Sequence, residues 1–293
     1  MLNTAKEILE FCEKENKRIY DIVIKEEGSI SGKTEEEMRA QVDEVIEVME
    51  ESAQKNLDQA HKTKYGMIDG FAHMTYEYAK NGDPMVGSFL TEAMAMAFST
   101  SEVNDAMGKI VAAPTAGSAG IMPAALMAAK KKYDFDNKTL QNGLLTFIGI
   151  GQIVAKYATF AGAEGGCQAE CGAASAMSAA ALVEMRGGTV EQCLHAASIA
   201  IVNILGLVCD PIAGLVQYPC TFRNASGVMN AMISADLAMA GVTSFVPFDE
   251  VVVAMGEVGR AMPVALRETG LGGLAGTPTG VRIREEFLGK KEK

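Results

Sequence analysis

Apolar residues recur with the spacing of an α-helix through most of this chain, and the pattern is clearest over residues 34–60. Thr34 and Glu37 have the spacing of a capping box, in which each side chain accepts a hydrogen bond from the other residue's backbone amide. Glutamates fill the first turn, where the helix dipole favours negative charge. The stripe that follows predicts one helix with a single buried face. Its apolar members are Met38, Val42, Val45, Ile46, Met49 and Ala53.

A second amphipathic helical segment is predicted over residues 1–27, with a break from Gly28 to Gly32. From about residue 85 the pattern changes, because several segments of helical length are apolar or small on every side. That composition is typical of helices buried inside an all-helical domain. The predicted segments are 85–99, 122–132, 139–161, 173–186, 190–206, 225–240 and 249–267.

Candidate helix ends accompany these segments. Gly187 and Gly241 each follow a helical run and are predicted to end it, because glycine adopts the left-handed conformation readily. Thr189 with Gln192 forms a second candidate capping box, and Asp249 is a candidate N-cap.

Alternating strand patterns are almost absent, and the abundant Ala, Met and Gly have low β-propensity. The sequence therefore predicts an all-α fold, a large helical domain with buried central helices rich in small residues. Gly, Ala and Ser crowd residues 161–181, where they would let helices approach closely. We interpret residues 1–84 as an acidic amphipathic helical region and residues 85–293 as the helical core that would carry the chemistry, within one continuous domain.

The charge of the chain is negative and unevenly spread. The net charge is −11 over 293 residues, and residues 1–60 hold 16 Asp and Glu against 8 Lys and Arg. Such a chain repels phosphate backbones, so nucleic acid is not an expected partner. With 48% hydrophobic residues, the chain can bury a large core without staples.

We expect a soluble, cytoplasmic protein that does not enter a membrane. The first residues lead directly into a charged helical segment and do not resemble a signal peptide. The longest uncharged run, residues 110–129, has the length of a membrane span but contains Pro114, Gly117, Gly120 and Pro123. It is interpreted as a loop followed by a short helix.

The six cysteines are concentrated in one part of the chain. Cys167, Cys171, Cys193 and Cys209 lie within 43 positions, and Cys220 follows closely, whereas Cys12 stands alone. Without a secretion signal, a disulfide framework is not expected. The cysteines beside Gly or Pro suit metal-binding thiolates, but their spacing matches no zinc or ferredoxin pattern. Spacing alone leaves metal binding and simple core packing both open.

A loop rich in Gly, Ser and Thr, residues 114–120, precedes an apolar helix. Free amides and hydroxyls at a helix start suit a carboxylate or phosphate, although an ordinary tight loop would have the same composition. No Gly-Lys-Ser/Thr follows, so it is not a Walker A loop.

Other chemical groups are sparse. His195 is interpreted as a satisfied core histidine, and His61 and His73 as solvated side chains. Lys156 could be a buried amine of the kind that pyridoxal phosphate requires, but a side chain at a helix edge is the more common role. The glycine-rich residues 268–276 follow no strand and so do not indicate a dinucleotide site.

Several longer motifs resemble the iron–sulfur L-serine dehydratase alpha chain family, and the resemblance extends over about residues 1 to 285. They are Ala113-Pro114-Thr115-Ala116-Gly117-Ser118-Ala119-Gly120, Gly166-Cys167-Gln168-Ala169-Glu170, the run from Gly206 through Cys209-Asp210-Pro211 to Val216, Pro219-Cys220, and Arg267-Glu268-Thr269-Gly270 with the following Gly272-Gly273-Leu274-Ala275.

The resemblance implies an oxygen-sensitive lyase of amino-acid degradation and gluconeogenesis that converts L-serine to pyruvate and ammonia. It implies a [4Fe–4S] cluster on Cys167, Cys209 and Cys220, with Cys171 as a neighbour and not a ligand. Three thiolate ligands would leave one iron open to act as a Lewis acid on the substrate hydroxyl. The resemblance also implies an all-α catalytic chain and a separate beta chain.

Glu170 lies three residues from Cys167 and is the expected catalytic base, although a simple salt bridge is the more common role for a glutamate there. Arg223 and Asn224, next to Cys220, are expected to orient the substrate. Three alternatives stay open: a related lyase such as an iron–sulfur cysteine desulfidase, a pyridoxal-phosphate dehydratase using Lys156, and a non-catalytic helical scaffold. The loop residues expected to hold the substrate carboxylate are Thr115, Ala116, Gly117 and Ser118.

Overall fold

A computed structural model describes residues 4–289, and the predicted all-α fold is confirmed over that range. The described residues contain no β-strand; one isolated parallel bridge joins Cys209 to Arg267. The helices are α1 (Ala5–Glu15), α2 (Ile19–Ser31), α3 (Glu35–Gln54), α4 (Phe71–Asn81), α5 (Gly87–Asp105), α6 (Ile121–Tyr133), α7 (Asn137–Tyr157), α8 (Gly162–Gly165), α9 (Ala173–Met185), α10 (Val190–Val202), α11 (Cys220–Met239), α12 (Phe248–Ala261) and α13 (Pro278–Leu288).

Helix α9 lies at the centre of the fold, and every one of its residues is buried. It packs against α6, α7, α10 and α11, which surround it. Its sequence is mostly Ala and Ser, so neighbouring helix axes come close without large side chains between them. The prediction of buried central helices rich in small residues is confirmed.

Both predicted capping boxes are present. At the start of α3, the amide of Thr34 donates to Glu37 at 2.8 Å and the amide of Glu37 donates to the Thr34 hydroxyl at 3.2 Å. At the start of α10, Thr189 and Gln192 exchange equivalent bonds of 2.8 and 3.1 Å. These caps are local in sequence, which is why the pattern alone found them.

Helices α9 and α11 also end where expected. Gly187 has φ 75° and Gly241 has φ 91°, both in the left-handed region. The amide of Gly187 donates to the carbonyl of Glu184 at 3.0 Å, and that of Gly241 to Ala238 at 3.0 Å. Each glycine therefore closes the last turn of its helix as predicted.

The N-terminal segment differs from the prediction of one helix over residues 1–27. Two helices, α1 and α2, are separated at Asn16, whose φ of 50° ends the first helix. The predicted break from Gly28 to Gly32 begins too early, because α2 continues through Gly28 to Ser31 and ends at Gly32, whose φ is 72°. A Cβ on Gly28 would lie 3.3 Å from the Met38 side chain, so the glycine makes room for α3. Tertiary packing here overrides a weak local breaker.

Three helices were not anticipated, of which α8 is a single turn too short to carry a periodic pattern. Helix α4 has no side-chain cap at its start and only two buried residues, so it carries little of the periodic signal. It packs along α5. The sequence of helix α13 does carry the signals of a helix start. Thr277 caps it by accepting from the Gly280 amide at 3.1 Å, and Pro278 occupies its first turn.

Several predicted helices have different bounds: the segment 34–60 ends at Gln54, the segment 85–99 continues to Asp105, and the segment 139–161 ends at Tyr157. The segment 249–267 ends at Ala261, because Met262 precedes a proline and takes an extended conformation. The segment 225–240 begins earlier, at Cys220. The segment 190–206 stops at Val202, and the chain then turns toward the loop that carries Cys209.

The predicted N-cap role of Asp249 in its own helix is wrong, since Pro247 occupies that position of α12. Instead, the Asp249 carboxylate accepts from the amides of Ala5 at 2.7 Å and Lys6 at 3.2 Å. The residue therefore caps α1, a helix that lies more than 240 positions away in sequence.

One hydrophobic cluster connects residues from both predicted regions, from Ile8 in α1 to Met255 in α12. The division at residue 84 stays a prediction. Residues 110–129 form a loop followed by α6, as interpreted from their prolines and glycines. Among residues 4–289, no helix combines the length and apolar character needed to cross a lipid bilayer.

Candidate active site

Glu170 lies within a π-helical turn, Gln168–Gly172, that leads directly into α9. Such turns insert an extra residue into a helix and are frequent at functional sites. Cys167 precedes the turn, and the amide of Gln168 donates to the Leu207 carbonyl at 3.0 Å. This bond draws the segment after α10, which contains Cys209, toward the turn.

The carboxylate of Glu170 is buried between two other predicted site segments. Its Oε1 accepts from the Thr115 hydroxyl at 2.7 Å, and its Oε2 lies 3.7 Å from the Cys209 sulfur. Burial is the largest influence and raises the pKa of Glu170, while the hydrogen bond from Thr115 acts in the opposite direction. Within residues 4–289, Glu170 has no ion pair with Lys or Arg. The structural ion pair considered above is therefore not formed.

Two glycines form the walls around this carboxylate. A Cβ added to Gly117 would lie 2.7 Å from Oε1 of Glu170, and one added to Gly162 would lie 2.6 Å from Oε2. The latter would also lie 3.0 Å from the Cys209 sulfur. Both backbones come so close that only glycine fits without moving the carboxylate.

Asn224 holds the loop of residues 115–120 against α11. Its side-chain oxygen accepts from the Gly120 amide at 2.8 Å, and its Nδ2 donates to the Gly117 and Cys220 carbonyls at 2.7 and 2.8 Å. All of its polar atoms are used in these bonds. The structure thus places Asn224 behind the loop, where it links the loop to Cys220.

The loop itself offers unused donors. Over the described part of the chain, the amides of Ala116 and Gly117 donate to no protein acceptor. The Thr115 and Ser118 hydroxyls lie 3.3 Å apart, and Ser118 also donates to the Ala113 carbonyl at 3.3 Å. Adjacent free amides and hydroxyls suit an anionic oxygen pair such as a carboxylate.

Arg223 supports the segment that carries Cys209. Its guanidinium donates to the Val208 carbonyl at 2.9 Å and to the Asp210 carboxylate at 2.8 Å. Asp210 is 3% exposed, and its second oxygen accepts from the Leu274 amide at 2.7 Å. Arg223 is therefore fixed by neighbours on both sides of Cys209.

Cys167, Cys209 and Cys220 come from three separate elements and are all buried. Burial, followed by the negative charges of Cys167 and Glu170, raises the pKa of both Cys209 and Cys220 well above the ordinary thiol value. The hydrogen bond with Cys171, together with the charge of Arg223, lowers the pKa of Cys167. The three sulfurs thus share one electrostatic environment.

This donor set fits an iron–sulfur cluster. Within residues 4–289, no three His, Cys, Asp or Glu side chains come together as ligands of a single metal ion. A cluster makes a different demand, because each cysteine binds a separate iron and the sulfurs stay apart. Three buried thiols without disulfide partners, two of them disfavoured as bare thiolates, would be stabilised by positively charged iron.

Two further residues at the site were not predicted as site residues, although both lie in the motifs given above. One is Asp210, described above. The other is Glu268, whose φ of 61° is unusual for a residue with a side chain. Its amide donates to the Cys209 carbonyl at 2.6 Å, and its charge contributes to raising the pKa of Glu170. The positive φ of Glu268 marks it as unusual, but a sequence does not show φ, so this residue could not be found from the motif.

The sequence matches one known family over most of its length. Residues 14–275 match the family described as "Serine dehydratase alpha chain". The chain belongs to the serine dehydratase alpha chain family. The match covers all of the candidate residues, from Thr115 to Glu268.

Individual members of the serine dehydratase alpha chain family are similar over nearly the whole chain. The "L-serine dehydratase, alpha chain" of Peptoniphilus asaccharolyticus is 72% identical over 98% of this chain and 99% of its own length. The "Probable L-serine dehydratase, alpha chain" of Bacillus subtilis (strain 168) is 46% identical over 99% and 96%. The "L-serine dehydratase" of Helicobacter pylori (strain J99) is 34% identical over 94% of this chain but only 61% of its own length.

Several other residues with candidate chemical roles lie outside the site described above. Cys12 and Cys193 are buried in the main core beside the Arg18–Glu184 ion pair, apart from the three clustered thiols. Lys156 is exposed, which does not suit a buried Schiff-base amine. Two histidines form hydrogen bonds with backbone groups: His73 with the Leu57 carbonyl, and His195 with the Ser244 amide.

Proposed function

We propose that this chain is the catalytic alpha chain of an L-serine dehydratase, a lyase that converts L-serine to pyruvate and ammonia. The observation that carries the proposal is the position of Glu170, which lies 2.7 Å from the Thr115 hydroxyl and 3.7 Å from the Cys209 sulfur. These contacts bring a candidate base, a candidate carboxylate-binding loop and a candidate cluster ligand together. The names of two similar proteins, both described as L-serine dehydratase alpha chains, support the same function.

The substrate carboxylate is bound by the loop of residues 115–118. The free amides of Ala116 and Gly117 donate to its oxygens, and the Thr115 and Ser118 hydroxyls lie alongside. Asn224 and Arg223 act one step away: Asn224 holds this loop, and Arg223 holds the segment of Cys209. We therefore assign them positioning roles in orienting the substrate.

Glu170 is the proposed base for the Cα proton. Thr115 occupies Oε1 of its carboxylate, which leaves Oε2, on the side of Cys209, to accept the proton. Burial raises the pKa of Glu170 and so makes it a stronger base than an exposed glutamate. The electron pair of the Cα–H bond forms the Cα–Cβ double bond as the Cβ–O bond breaks, and the hydroxyl leaves as water with the proton that Glu170 took up. The remaining aminoacrylate tautomerises and is hydrolysed to pyruvate and ammonia.

Hydroxide is a poor leaving group, so its departure requires an acid. A [4Fe–4S] cluster bound by Cys167, Cys209 and Cys220 would supply a Lewis acid for the substrate hydroxyl. The chain's own contribution is the dry environment of the three thiols, each at most 6% exposed.

We also infer that the chain works with a separate beta chain. The Peptoniphilus and Bacillus relatives are named as alpha chains. This chain matches 61% of the length of the Helicobacter L-serine dehydratase, so that relative has an additional part. The additional part of that relative corresponds to what a second polypeptide would provide here.

The test is iron and acid-labile sulfide analysis of the chain prepared without oxygen, followed by L-serine turnover with and without a beta chain. We expect about four irons and four sulfides per chain. Cys209→Ala should lose the cluster and the activity, whereas Cys193→Ala, another buried cysteine outside the site, should retain both. Iron near zero in a chain reconstituted beside a working control protein would exclude the cluster. Competition between L-serine and L-cysteine separates this reaction from that of a desulfidase.

A further inference from the structure

Cys171 is the one cysteine near the proposed cluster that has no role in the mechanism, yet it lies closest to a ligand. Its sulfur is 3.5 Å from the sulfur of Cys167. The two residues are four positions apart across the π-helical turn, so their side chains project from the same face of one helical segment. Both are about 1% exposed and neither is in a disulfide.

This geometry is close to that of a disulfide. A covalent bond places the two sulfurs about 2.0 Å apart, so the thiols must approach each other by about 1.5 Å. Cβ atoms four residues apart on a helix are about 5–6 Å apart and a disulfide needs about 3.5–4.5 Å, so the π-helical turn must also tighten when the bond forms. In contrast, Cys12 and Cys193 lie in the main core, away from this pair.

An open pocket gives small molecules access to one of these thiols. The pocket has a volume of about 390 Å³, and Cys171 lies in its wall together with Ile204, Leu207 and Arg223. Cys167 does not line it. A small oxidant that enters this pocket therefore comes next to the pair on the side of Cys171.

We propose that Cys167 and Cys171 form a reversible redox pair, closing into a disulfide when a cluster-free chain meets a peroxide. The disulfide itself does not depend on the proposed function. Its consequence, the blocking of cluster binding, does rest on that function. Hydrogen peroxide oxidises one of the two thiols to a sulfenic acid and releases one water. The other thiol then attacks that sulfur, the S–O bond breaks, and a second water leaves.

The disulfide removes one proposed ligand and at the same time protects it. Cys167 cannot bind iron while it is bonded to Cys171, so cluster insertion stops. It also cannot proceed to the sulfinic acid, which thiols do not reduce. A dithiol reductant restores both cysteines by thiol–disulfide exchange. Cys171 is thus the disulfide partner that shields a proposed cluster ligand.

Mass spectrometry of the full chain tests the pair directly, because trypsin releases residues 157–186 as one peptide whose only cysteines are Cys167 and Cys171. The chain is stripped of iron with a chelator, reduced, treated with hydrogen peroxide, denatured and alkylated. We expect this peptide to be two hydrogens lighter and unalkylated, and to become doubly alkylated after prior treatment with dithiothreitol. Cys193→Ala should behave identically.

Cys171→Ala and the closer isostere Cys171→Ser are the decisive variants. In both, Cys167 should be recovered as sulfinic acid, and cluster reconstitution after dithiothreitol should stay lost, whereas the wild-type chain recovers it fully. Free thiols or a sulfinic acid at Cys167 in the oxidised wild-type chain would overturn the proposal, as would a bond from Cys167 to Cys209 or Cys220. If the reduced wild-type chain takes up no iron and sulfide, the proposed function fails, while the peptide mass still decides the disulfide.

Discussion

The hydroxyl of Thr115 lies 2.7 Å from Oε1 of Glu170 and joins a loop to a π-helical turn 55 residues later in the chain. The bond fixes which carboxylate oxygen is free to take a proton. It also makes the loop that would hold the substrate and the group that would deprotonate it parts of one unit. Changes to either residue should therefore affect catalysis more than folding.

Removal of the carboxylate should reduce turnover with little loss of iron. We expect Glu170→Gln to lower the kcat for L-serine by about 100-fold or more, the range typical of a lost general base. Thr115→Val should lower it by about tenfold, equivalent to one lost hydrogen bond. Steady-state kinetics on protein of matched iron content makes the comparison. Glu164→Gln, an exposed acid in the neighbouring helix α8, should leave kcat unchanged. Near-normal turnover by Glu170→Gln would remove Glu170 from the mechanism.

Gly162 should not tolerate a side chain. Its added Cβ would lie 2.6 Å from Oε2 of Glu170 and 3.0 Å from the Cys209 sulfur, so Gly162→Ala displaces a base and a ligand together. We expect loss of both bound iron and activity in a chain whose circular dichroism is unchanged. Gly172→Ala is the control, because the nearest atom to its Cβ would be the end of the Ile204 side chain, at 3.3 Å. An active, iron-loaded Gly162→Ala chain would contradict the described site.

Asp210 should matter for stability through the charge it balances. Its side chain is 4% exposed and that of its partner Arg223 is 14% exposed. Removing one member of a buried ion pair leaves the other charge uncompensated, which typically destabilises by about 3–5 kcal/mol. We expect Asp210→Ala to lower the free energy of unfolding in urea by that order and to weaken iron retention. Asp236→Ala, whose ion pair with Arg186 is largely exposed, should change it by less than about 1 kcal/mol.

Stability should fall as the pH rises from about 4.5 to about 7. Burial raises the pKa of Glu102 from 4.5 to about 7, and burial likewise raises that of Asp105 from 3.8 to about 7. In this window the folded chain holds protons that the unfolded chain releases, so the contribution is complete at low pH and is lost by pH 7. The loss for the fully buried Glu102 is at most about 3 kcal/mol.

Urea unfolding at a series of pH values measures this effect. Glu102→Gln stays neutral throughout and should flatten the decline, while Glu47→Gln, on the exposed face of α3, should not alter it. A slope that is identical in wild type and Glu102→Gln would show that Glu102 does not bind a proton in the folded chain in this range.

The cap that Asp249 provides for α1 should be measurable although it is remote in sequence. Asp249→Ala leaves the amides of Ala5 and Lys6 without their acceptor and should destabilise the chain by about 1 kcal/mol. Glu250→Ala, its exposed neighbour, should change the urea midpoint little. If the two variants unfold at the same urea concentration, the cap contributes nothing to stability.

The sequence by itself determined the elements whose signals are local. Thr34 with Glu37 and Thr189 with Gln192 cap helices as predicted, because all partners of a capping box lie within one turn. The small-residue composition of α9 likewise marked a central, fully buried helix. Long motifs also pointed to the serine dehydratase alpha chain family, and the match over residues 14–275 confirmed it.

Only the tertiary structure decided which distant groups meet. Nothing local to Glu170 shows that Thr115 and Gly162 enclose its carboxylate, and nothing local to Asp249 shows that it caps α1. The continuation of α2 through Gly28 depends on Met38 of the next helix. The physical reason is that helix caps and periodicity act over a few residues, whereas the burial of apolar faces brings together residues far apart in the chain.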